Sequence, residues 1–204
     1  MTVPPDPAYD AVVLAGGAAR RLGGADKPGA LVARRALLDL VLAALPQTCR
    51  VVVVGPERPT VRPVAWVRED PPGGGPVPAL AAGYARLAAD GEPDRVALLA
   101  ADLPFLDRAV LDLLASRTSA TRGALLVDED GREQWLCGVW PGAGLARGLA
   151  AVRGGRLAGV LAPLDPVRVT VPARAGLPAP WFDCDTADDL RTADVAARGC
   201  APTA

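Results

Sequence analysis

The 204-residue chain contains no histidine, and this absence excludes several kinds of catalytic site. Ser-His-Asp and Cys-His catalysis both need an imidazole as the base, so neither can operate here. Cysteines are also few and form no C-x-x-C pair; they are Cys49, Cys137, Cys184 and Cys200. Neither a zinc site nor a disulfide framework is therefore predicted. Any chemistry must rely on carboxylates, arginines, backbone amides, a bound metal ion or the single lysine, Lys27.

The chain also lacks a large excess of either charge, because it has 22 basic and 23 acidic residues. Without a basic surface, binding to DNA or RNA is not expected. No apolar run is long enough to span a membrane, so no membrane association is expected either. Residues 1–10 are rich in proline and lack the basic start and the apolar stretch of a signal peptide. A cytoplasmic location is the resulting expectation.

Aromatic residues make up only 4% of the chain, whereas 50% of it is hydrophobic. This composition favours a core of Val, Leu and Ala, as buried parallel strands and their covering helices require. Apolar runs predict strands over 10–15, 50–54, 64–67, 95–100 and 167–171, and helices over 36–45, 79–89, 107–116 and 186–197. Because strands and helices alternate, we predict an α/β fold with a doubly wound, mostly parallel, Rossmann-like sheet.

The length of the chain fits one domain, 1–204, with residues 1–9 and 200–204 as flexible tails. The rhythm of the pattern changes after Gly123, where the segments 124–128 and 134–140 are joined by a turn containing Asp130-Gly131. An Asp-Gly pair between two strand-like runs is a hairpin signal. We therefore predict an antiparallel insertion at the edge of the sheet.

Lys27 ends a glycine-rich segment that follows directly on the first predicted strand. Backbone amides at glycines 16, 17, 23 and 24 can surround an anion, and an ammonium group can reach a single phosphate oxygen in such a cradle. Arg20 or Arg21 can add a charge-assisted contact. The segment matches neither the P-loop nor the G-x-G-x-x-G fingerprint. An ordinary glycine turn with a solvated lysine is the alternative interpretation.

Carboxylates also occur at two later places in the chain, one after a predicted strand and one in an extended segment. Asp102 ends a buried strand and precedes Leu-Pro-Phe, which places it at the ligand-binding edge of an open α/β sheet. Mg²⁺ binds through one or two carboxylates together with substrate phosphates, so Asp102 is a candidate metal ligand. Asp183 and Asp185 alternate in an extended segment, so only one of them can face the same ion, and Asp185 is the candidate. Thr186 then caps the last helix, with Asp189 completing a capping box.

In this order, these motifs resemble the molybdenum cofactor guanylyltransferases, the MobA-like branch of the nucleotidyltransferase superfamily. The resemblance runs from about Asp10 to Leu190. It is carried by L-A-G-G-x-x-x-R-x-G-G-x-D-K over 14–27, Asp70 with Gly75-Pro76, A-D-L-P-F over 101–105, Gln134-x-Leu136, and Phe182 with Asp185-Thr186. The chain departs from the family pattern at Val77-Pro78-Ala79, at Trp135 in place of proline, and at Asp183 and Asp185 in place of two asparagines.

The resemblance implies a nucleotidyltransferase-type fold and the transfer of GMP from GTP to the phosphate of the molybdopterin cofactor, with release of pyrophosphate. It implies Mg²⁺ as the cofactor and transient contact with molybdoenzymes or cofactor-handling proteins. The residues it assigns as catalytic are Lys27, Arg21 and Asp102, with Arg20 as an alternative to Arg21. Those assigned to nucleotide binding are Leu14, Ala15, Gly16, Gly17, Lys27, Asp70 and Asp102, and those assigned to the metal are Asp102 and Asp185.

Two other functions remain open. The first is cytidylyl transfer to molybdopterin or to another phosphorylated small molecule, although the Gly16-Gly17 doublet resembles the guanylyl branch more closely. The second is a nucleotide-binding accessory protein without turnover. Such a protein would be expected to lack the metal carboxylate or the lysine, and this chain has both.

Overall fold

The computed structural model of the protein describes residues 9–16, 27–152 and 154–199. The predicted site residues Gly17, Arg20 and Arg21 lie outside the described residues, as do most of the two predicted tails. Their roles therefore stay predictions.

The regular elements alternate as the sequence predicts. In chain order the strands are β1 (Asp10–Leu14), β2 (Leu31–Val32), β3 (Arg35–Ala36), β4 (Val51–Val54), β5 (Ala65–Val67), β6 (Arg95–Ala100), β7 (Ala124–Val127), β8 (Glu133–Pro141) and β9 (Val167–Val169). The α-helices are α1 (Leu37–Ala44), α2 (Pro76–Ala88), α3 (Arg108–Arg117), α4 (Gly142–Ala151), α5 (Leu157–Leu161) and α6 (Ala187–Gly199). Short 3₁₀ helices cover Lys27–Gly29 and Ala162–Leu164.

Seven of the described strands form one sheet in the order β5-β4-β1-β6-β8-β7-β9. The pairs β1–β4, β1–β6, β4–β5 and β7–β9 are parallel, whereas β8 runs antiparallel to both β6 and β7. The doubly wound, mostly parallel fold class is thereby confirmed. The antiparallel insertion lies one strand further in than the edge, because β9 pairs with β7 and takes the outermost place.

Helices cover both faces of this sheet. On one face, buried residues of α1 and α3, such as Leu42 and Leu111, share a core with β1, β4, β6, β7 and β8. On the other face, α2 packs mainly on β1 and β4, whereas α4 and α5 pack on β8. The central strands are apolar on both sides because neither side meets water, and this explains their continuous apolar runs.

The chain order places a ligand crevice at β1. From β1 the chain moves outward to β4 and β5 on one side, and then returns to β6 on the other side. Open α/β sheets bind ligands beyond the carboxyl ends of the strands at such a reversal. Residues that directly follow β1 and β6 are therefore placed at the same crevice.

Helix α2 begins at Pro76, three residues before the predicted start at Ala79. Its two prolines, Pro76 and Pro78, fall within the first turn of the helix, although proline is usually a sign of a loop. Amide hydrogens of the first turn have no partner within a helix, so proline loses nothing there. Gly75 precedes the helix with a φ of 97°, a conformation that favours glycine.

Other elements show where the sequence signals are strong or weak. The reciprocal capping box of α6 is confirmed, since Thr186 N donates to Asp189 Oδ2 at 2.7 Å and Asp189 N donates to Thr186 Oγ1 at 3.1 Å. The β2–β3 hairpin was not predicted, because its turn lacks the usual sequence signal. The turn residues, Ala33 and Arg34, have positive φ without being glycine or asparagine. Among the described helices, none combines the length and apolar character needed to cross a bilayer.

Replacing Gly83 with alanine is expected to lower the free energy of unfolding by about 1–3 kcal/mol, since overpacking a filled core displaces its neighbours. A Cβ at Gly83 of α2 would lie 2.5 Å from Val12 Cγ1 and 2.8 Å from Val54 Cγ2. Gly159→Ala in α5 is the matched control, because no described atom lies within 4 Å of its added Cβ. The control should be neutral or slightly stabilising. Urea denaturation checks both; equal stabilities would contradict the close packing of α2 on β1.

Candidate active site

Three segments that are distant in sequence bring one cation and two carboxylates together. The ammonium group of Lys27 forms ion pairs with Asp102 Oδ2 and with Asp185 Oδ1, the latter at 2.5 Å. Asp102 follows β6, Lys27 opens a 3₁₀ helix, and Asp185 lies just before α6. The Lys27 and Asp102 side chains are only 18% and 17% exposed. The predicted convergence of these residues at one rim of the sheet is therefore present.

The charge of Lys27 is maintained by its two partners. Burial disfavours the ammonium form, but hydrogen bonds and charges from Asp102 and Asp185 outweigh this effect and raise the pKa of Lys27 above 10.5. Lys27 is thus cationic at neutral pH.

Asp102 carries an oxygen that the surrounding protein leaves without a partner. Oδ1 of Asp102 is buried and accepts no hydrogen bond from the residues that the structure describes. A buried carboxylate oxygen without a donor is unfavourable by itself, and such an oxygen is often a ligand of a bound ion. The oxygen and charge of Asp102 suit a hard divalent cation such as Mg²⁺. Within the described residues, no group of three or more acidic or cysteine side chains is arranged around a common ion.

Asp183 adds a third carboxylate near this centre. Partial burial raises its pKa, and the charges of Asp185 and Asp102 raise it further. Cys184 between them is fully buried, and burial raises the pKa of its thiol to about 12. The thiol is therefore not a nucleophile at neutral pH. Cysteine catalysis is excluded at this position as well.

The loop that carries Asp102 is fixed from two sides. Cys184 N donates a hydrogen bond to Asp102 O at 3.3 Å, which ties the loop to the segment containing Asp185. Arg174 pairs with Asp107 and donates to Phe105 O at 2.5 Å. Asp107 itself caps α3 by accepting from Val110 N at 2.9 Å. These bonds hold the carboxylate of Asp102 in place before any ligand arrives.

The ends of β1, β4 and β5 approach one another closely on the other side of Asp102. Ala15 N donates to Val54 O at 2.8 Å, and Gly55 N donates to Val67 O at 2.9 Å. Gly55 has a φ of 155°, and a Cβ there would lie 2.8 Å from Ala15 O. Glycine is therefore required at this position. Gly16 is exposed just beyond β1 and leaves its backbone open to a ligand.

Glu69 faces this open backbone. Its two carboxylate oxygens lie 3.9 and 4.0 Å from the point that a Cβ on Gly16 would occupy. Glu69 Oε1 also accepts a hydrogen bond from Gly73 N at 3.0 Å. The neighbouring Asp70 is exposed, and in the described part of the chain it has no ion pair with Lys27.

A cavity of about 790 Å³ opens on the β6–β8 side of Asp102. Its walls combine aromatic and charged side chains; they include Asp102, Asp183, Asp185, Trp135, Trp181 and Arg156. Trp135 stacks on Trp140, with ring centroids 6.1 Å apart, so its ring is held in orientation. A flat ring that also carries anionic groups suits such a surface.

The structure brings some of the predicted site residues together and adds others that line the same crevice. Lys27, Asp102 and Asp185 meet, and Leu14, Ala15 and Gly16 lie at the end of the adjacent strand. The missed residues are Gly55, Glu69, Arg156 and Trp181. The Gly55-Pro56 pair directly after a buried strand was a usable signal for the first of these. Arg156 lies in a segment without any sequence motif, and Trp181 precedes the motif that begins at Phe182, so only the fold brings these two residues to the cavity.

An open parallel sheet that gathers a cation and carboxylates beyond the ends of its central strands is typical of proteins that handle nucleotide phosphates. The chain belongs to the family of MobA-like NTP transferase domains, whose model matches residues 11–171. The family resemblance predicted from the motifs is thereby confirmed.

Individual proteins that are similar to this chain in sequence or in structure are consistent with its membership in the family. The molybdenum cofactor guanylyltransferase of Bradyrhizobium sp. (strain ORS 278) is 34% identical over 151 residues, which cover 69% of this chain and 70% of that protein. A solved nucleotidyl transferase from Methanothermobacter thermautotroptrophicus has a TM-score of 0.70 at 18% identity, covering 93% of this chain and 98% of that one. The 2-C-methyl-D-erythritol 4-phosphate cytidylyltransferase from Thermus thermophilus has a TM-score of 0.63 at 19% identity, with the same coverage of both chains. At these identities, the two structures show likeness of fold only.

Proposed function

We propose that this protein is a molybdenum cofactor guanylyltransferase that transfers GMP from GTP to the phosphate of molybdopterin. The observation that carries the proposal is the meeting of Lys27 with Asp102 and Asp185 at the chain reversal of the sheet. Membership in the MobA-like family and 34% identity to a guanylyltransferase support the choice of reaction and acceptor.

The reaction exchanges one phosphorus–oxygen bond for another. An oxygen of the acceptor phosphate forms a bond to the α-phosphorus of GTP, and the bond from that phosphorus to the bridging oxygen of the β-phosphate breaks. Pyrophosphate leaves with the bonding electrons. Both the attacking and the leaving groups are phosphates, so no imidazole base is needed, in agreement with the absence of histidine. Catalysis of this kind depends mainly on positioning and on neutralising charge.

The residues divide this work between them. Lys27 exchanges its carboxylate partners for phosphate oxygens, and the amides that follow β1 hold the triphosphate. Arg20 or Arg21 is proposed to neutralise the departing pyrophosphate. Asp102, assisted by Asp185, is proposed to hold Mg²⁺, and the unpartnered Oδ1 of Asp102 fits this assignment. Bound Mg²⁺ would neutralise polyphosphate charge at the reacting phosphorus.

The cavity on the β6–β8 side is proposed to receive the acceptor. Its tryptophan rings suit a flat heterocycle, and Arg156 suits an anionic group. Asp102 and Asp185 line the same cavity, so an acceptor phosphate bound there lies beside the nucleotide phosphates. This arrangement supports an attacking group bound next to the proposed metal ligands.

Mg²⁺-dependent release of pyrophosphate from GTP in the presence of molybdopterin tests the proposal. GTP should support release, whereas ATP, UTP and reactions with EDTA or without acceptor should not. Turnover with CTP in place of GTP would establish cytidylyl transfer, which the fold of the cytidylyltransferase relative also accommodates. Tight GTP binding without release of pyrophosphate would instead establish a nucleotide-binding accessory protein. Either result contradicts GMP transfer.

A further inference from the structure

The position of the nucleoside follows from the two halves of the crevice. Lys27 and Asp102 lie between them, at the ends of β1 and β6. The 790 Å³ cavity occupies the β6–β8 half and is assigned above to the acceptor. A triphosphate held by Lys27 must therefore extend its nucleoside over the other half, where the ends of β1, β4 and β5 meet. This step rests on the proposed function.

Among the side chains that the structure describes, Glu69 lies nearest to Gly16 in this half. Around the point where a Cβ on Gly16 would lie, the nearest described side-chain atoms are the two carboxylate oxygens of Glu69. The hydrogen bond from Gly73 N fixes one of them, Oε1, and leaves it further capacity to accept. The carboxylate therefore has a defined orientation before the nucleotide binds. Asp70, Glu57 and Arg68 are exposed, and none of them is among the atoms nearest to that point.

The hydrogen-bonding edges of the four bases differ in a way that a carboxylate can distinguish. Guanine presents two adjacent donors, N1–H and the 2-amino group, which match the two oxygens of one carboxylate. Cytosine and adenine each present an amino group beside a ring nitrogen that accepts, and uracil presents one N–H between two carbonyl oxygens. An accepting ring nitrogen or carbonyl placed against a carboxylate leaves both groups without a donor.

We propose that Glu69 determines base specificity, with its carboxylate accepting hydrogen bonds from N1–H and the 2-amino group of guanine. The close approach of β1 to β4, which Gly55 permits, lets the base lie against the backbone of Ala15 and Gly16 with its edge towards Glu69. A hydrogen-bonding group covered by the bound base rejects a base that lacks the matching donors more strongly than a change in shape does.

The test compares the affinities of GTP, ITP and CTP by isothermal titration calorimetry in Mg²⁺. ITP is guanosine triphosphate without the 2-amino group, so it isolates one of the two proposed bonds. Wild-type protein should bind GTP about tenfold more tightly than ITP, the value of one hydrogen bond to a charged group. Glu69→Gln should bring the GTP and ITP affinities close together, because the amide turns a donor towards the donors of guanine. Its remaining carbonyl still accepts from Gly73 N, so the fold is retained.

The controls separate the different ways in which the test can fail. Glu129→Gln removes the same charge in the exposed β7–β8 turn and should leave the GTP-to-ITP ratio unchanged. Glu69→Asp keeps the charge but shortens the reach, so it should also reduce the ratio. If Glu69→Gln keeps the wild-type ratio while GTP remains the preferred nucleotide, Glu69 does not read the base and GMP transfer still stands. If wild-type protein prefers CTP to GTP, the proposed function fails together with this assignment.

Discussion

Asp102→Asn is expected to lower the rate of GMP transfer by at least about a hundredfold, because Asp102 is the proposed metal ligand and loss of an outer-shell partner alone costs about 10- to 100-fold. Raising the Mg²⁺ concentration should restore part of the activity, because an amide oxygen still coordinates weakly. The structural reason is specific to one atom. Oδ1 of Asp102 is buried and has no hydrogen-bond donor among the described residues, whereas Oδ2 is paired with Lys27.

Two measurements distinguish a loss of metal binding from general damage to the folded protein. Mn²⁺ binding in the presence of GTP, followed by electron paramagnetic resonance, should weaken in Asp102→Asn along with the rate. Asp90→Asn makes the same chemical change in a surface ion pair with Arg86 and should alter neither quantity. An Asp102→Asn enzyme with full activity that needs no metal would remove Asp102 from the mechanism.

The fold was predictable because the central strands are buried on both sides. Continuous runs such as Val51–Val54 leave no polar face, so a parallel sheet covered by helices was the simplest solution. The order of the strands was harder to predict. Whether β7 or β9 takes the outer place depends on the pairing of β9 with β7, between segments about 40 residues apart, and no local pattern records such a pairing.

The site was predictable where chemistry and strand ends coincide. Asp102 follows a buried strand, and Lys27 follows a glycine-rich segment, so both had to lie at the carboxyl edge of the sheet. The sequence signal at Asp185 was weaker, because a carboxylate just before a helix can be explained by helix capping alone. Thr186 and Asp189 do form that cap, which leaves the carboxylate of Asp185 available to Lys27.

The direction of the Glu69 side chain could not be predicted from the sequence. It precedes Asp70, the residue that the family resemblance singles out, and no spacing rule favours one over the other. The structure separates them, because the Glu69 carboxylate turns back towards Gly16 and bonds Gly73 N, whereas Asp70 is exposed. The direction of a side chain in a loop depends on the turn around it, which here runs through three consecutive glycines, 73–75.

Lys27→Ala is expected to reduce the rate by about 100- to 1000-fold, the usual effect of deleting one group that stabilises developing negative charge. Lys27→Arg should restore little of this rate. An ammonium group reaches one oxygen as a point charge, whereas a planar guanidinium needs more room than the enclosed position between Asp102 and Asp185 provides. Steady-state kinetics of pyrophosphate release and the Kd of GTP measure both variants.

Loss of Lys27 should also alter the response of the folded protein to metal. Loss of the ammonium group removes the cation that pairs with both Asp102 and Asp185, so the Tm should fall. Mg²⁺ without nucleotide should then raise the Tm of Lys27→Ala more than that of wild type, because a ligand that binds the folded state stabilises it. The double variant Lys27→Ala/Asp185→Asn removes one of the two negative charges that repel each other. It should therefore recover the Tm but not the rate. Recovery of both would show that Lys27 only balances charge in the folded protein and takes no part in phosphate transfer.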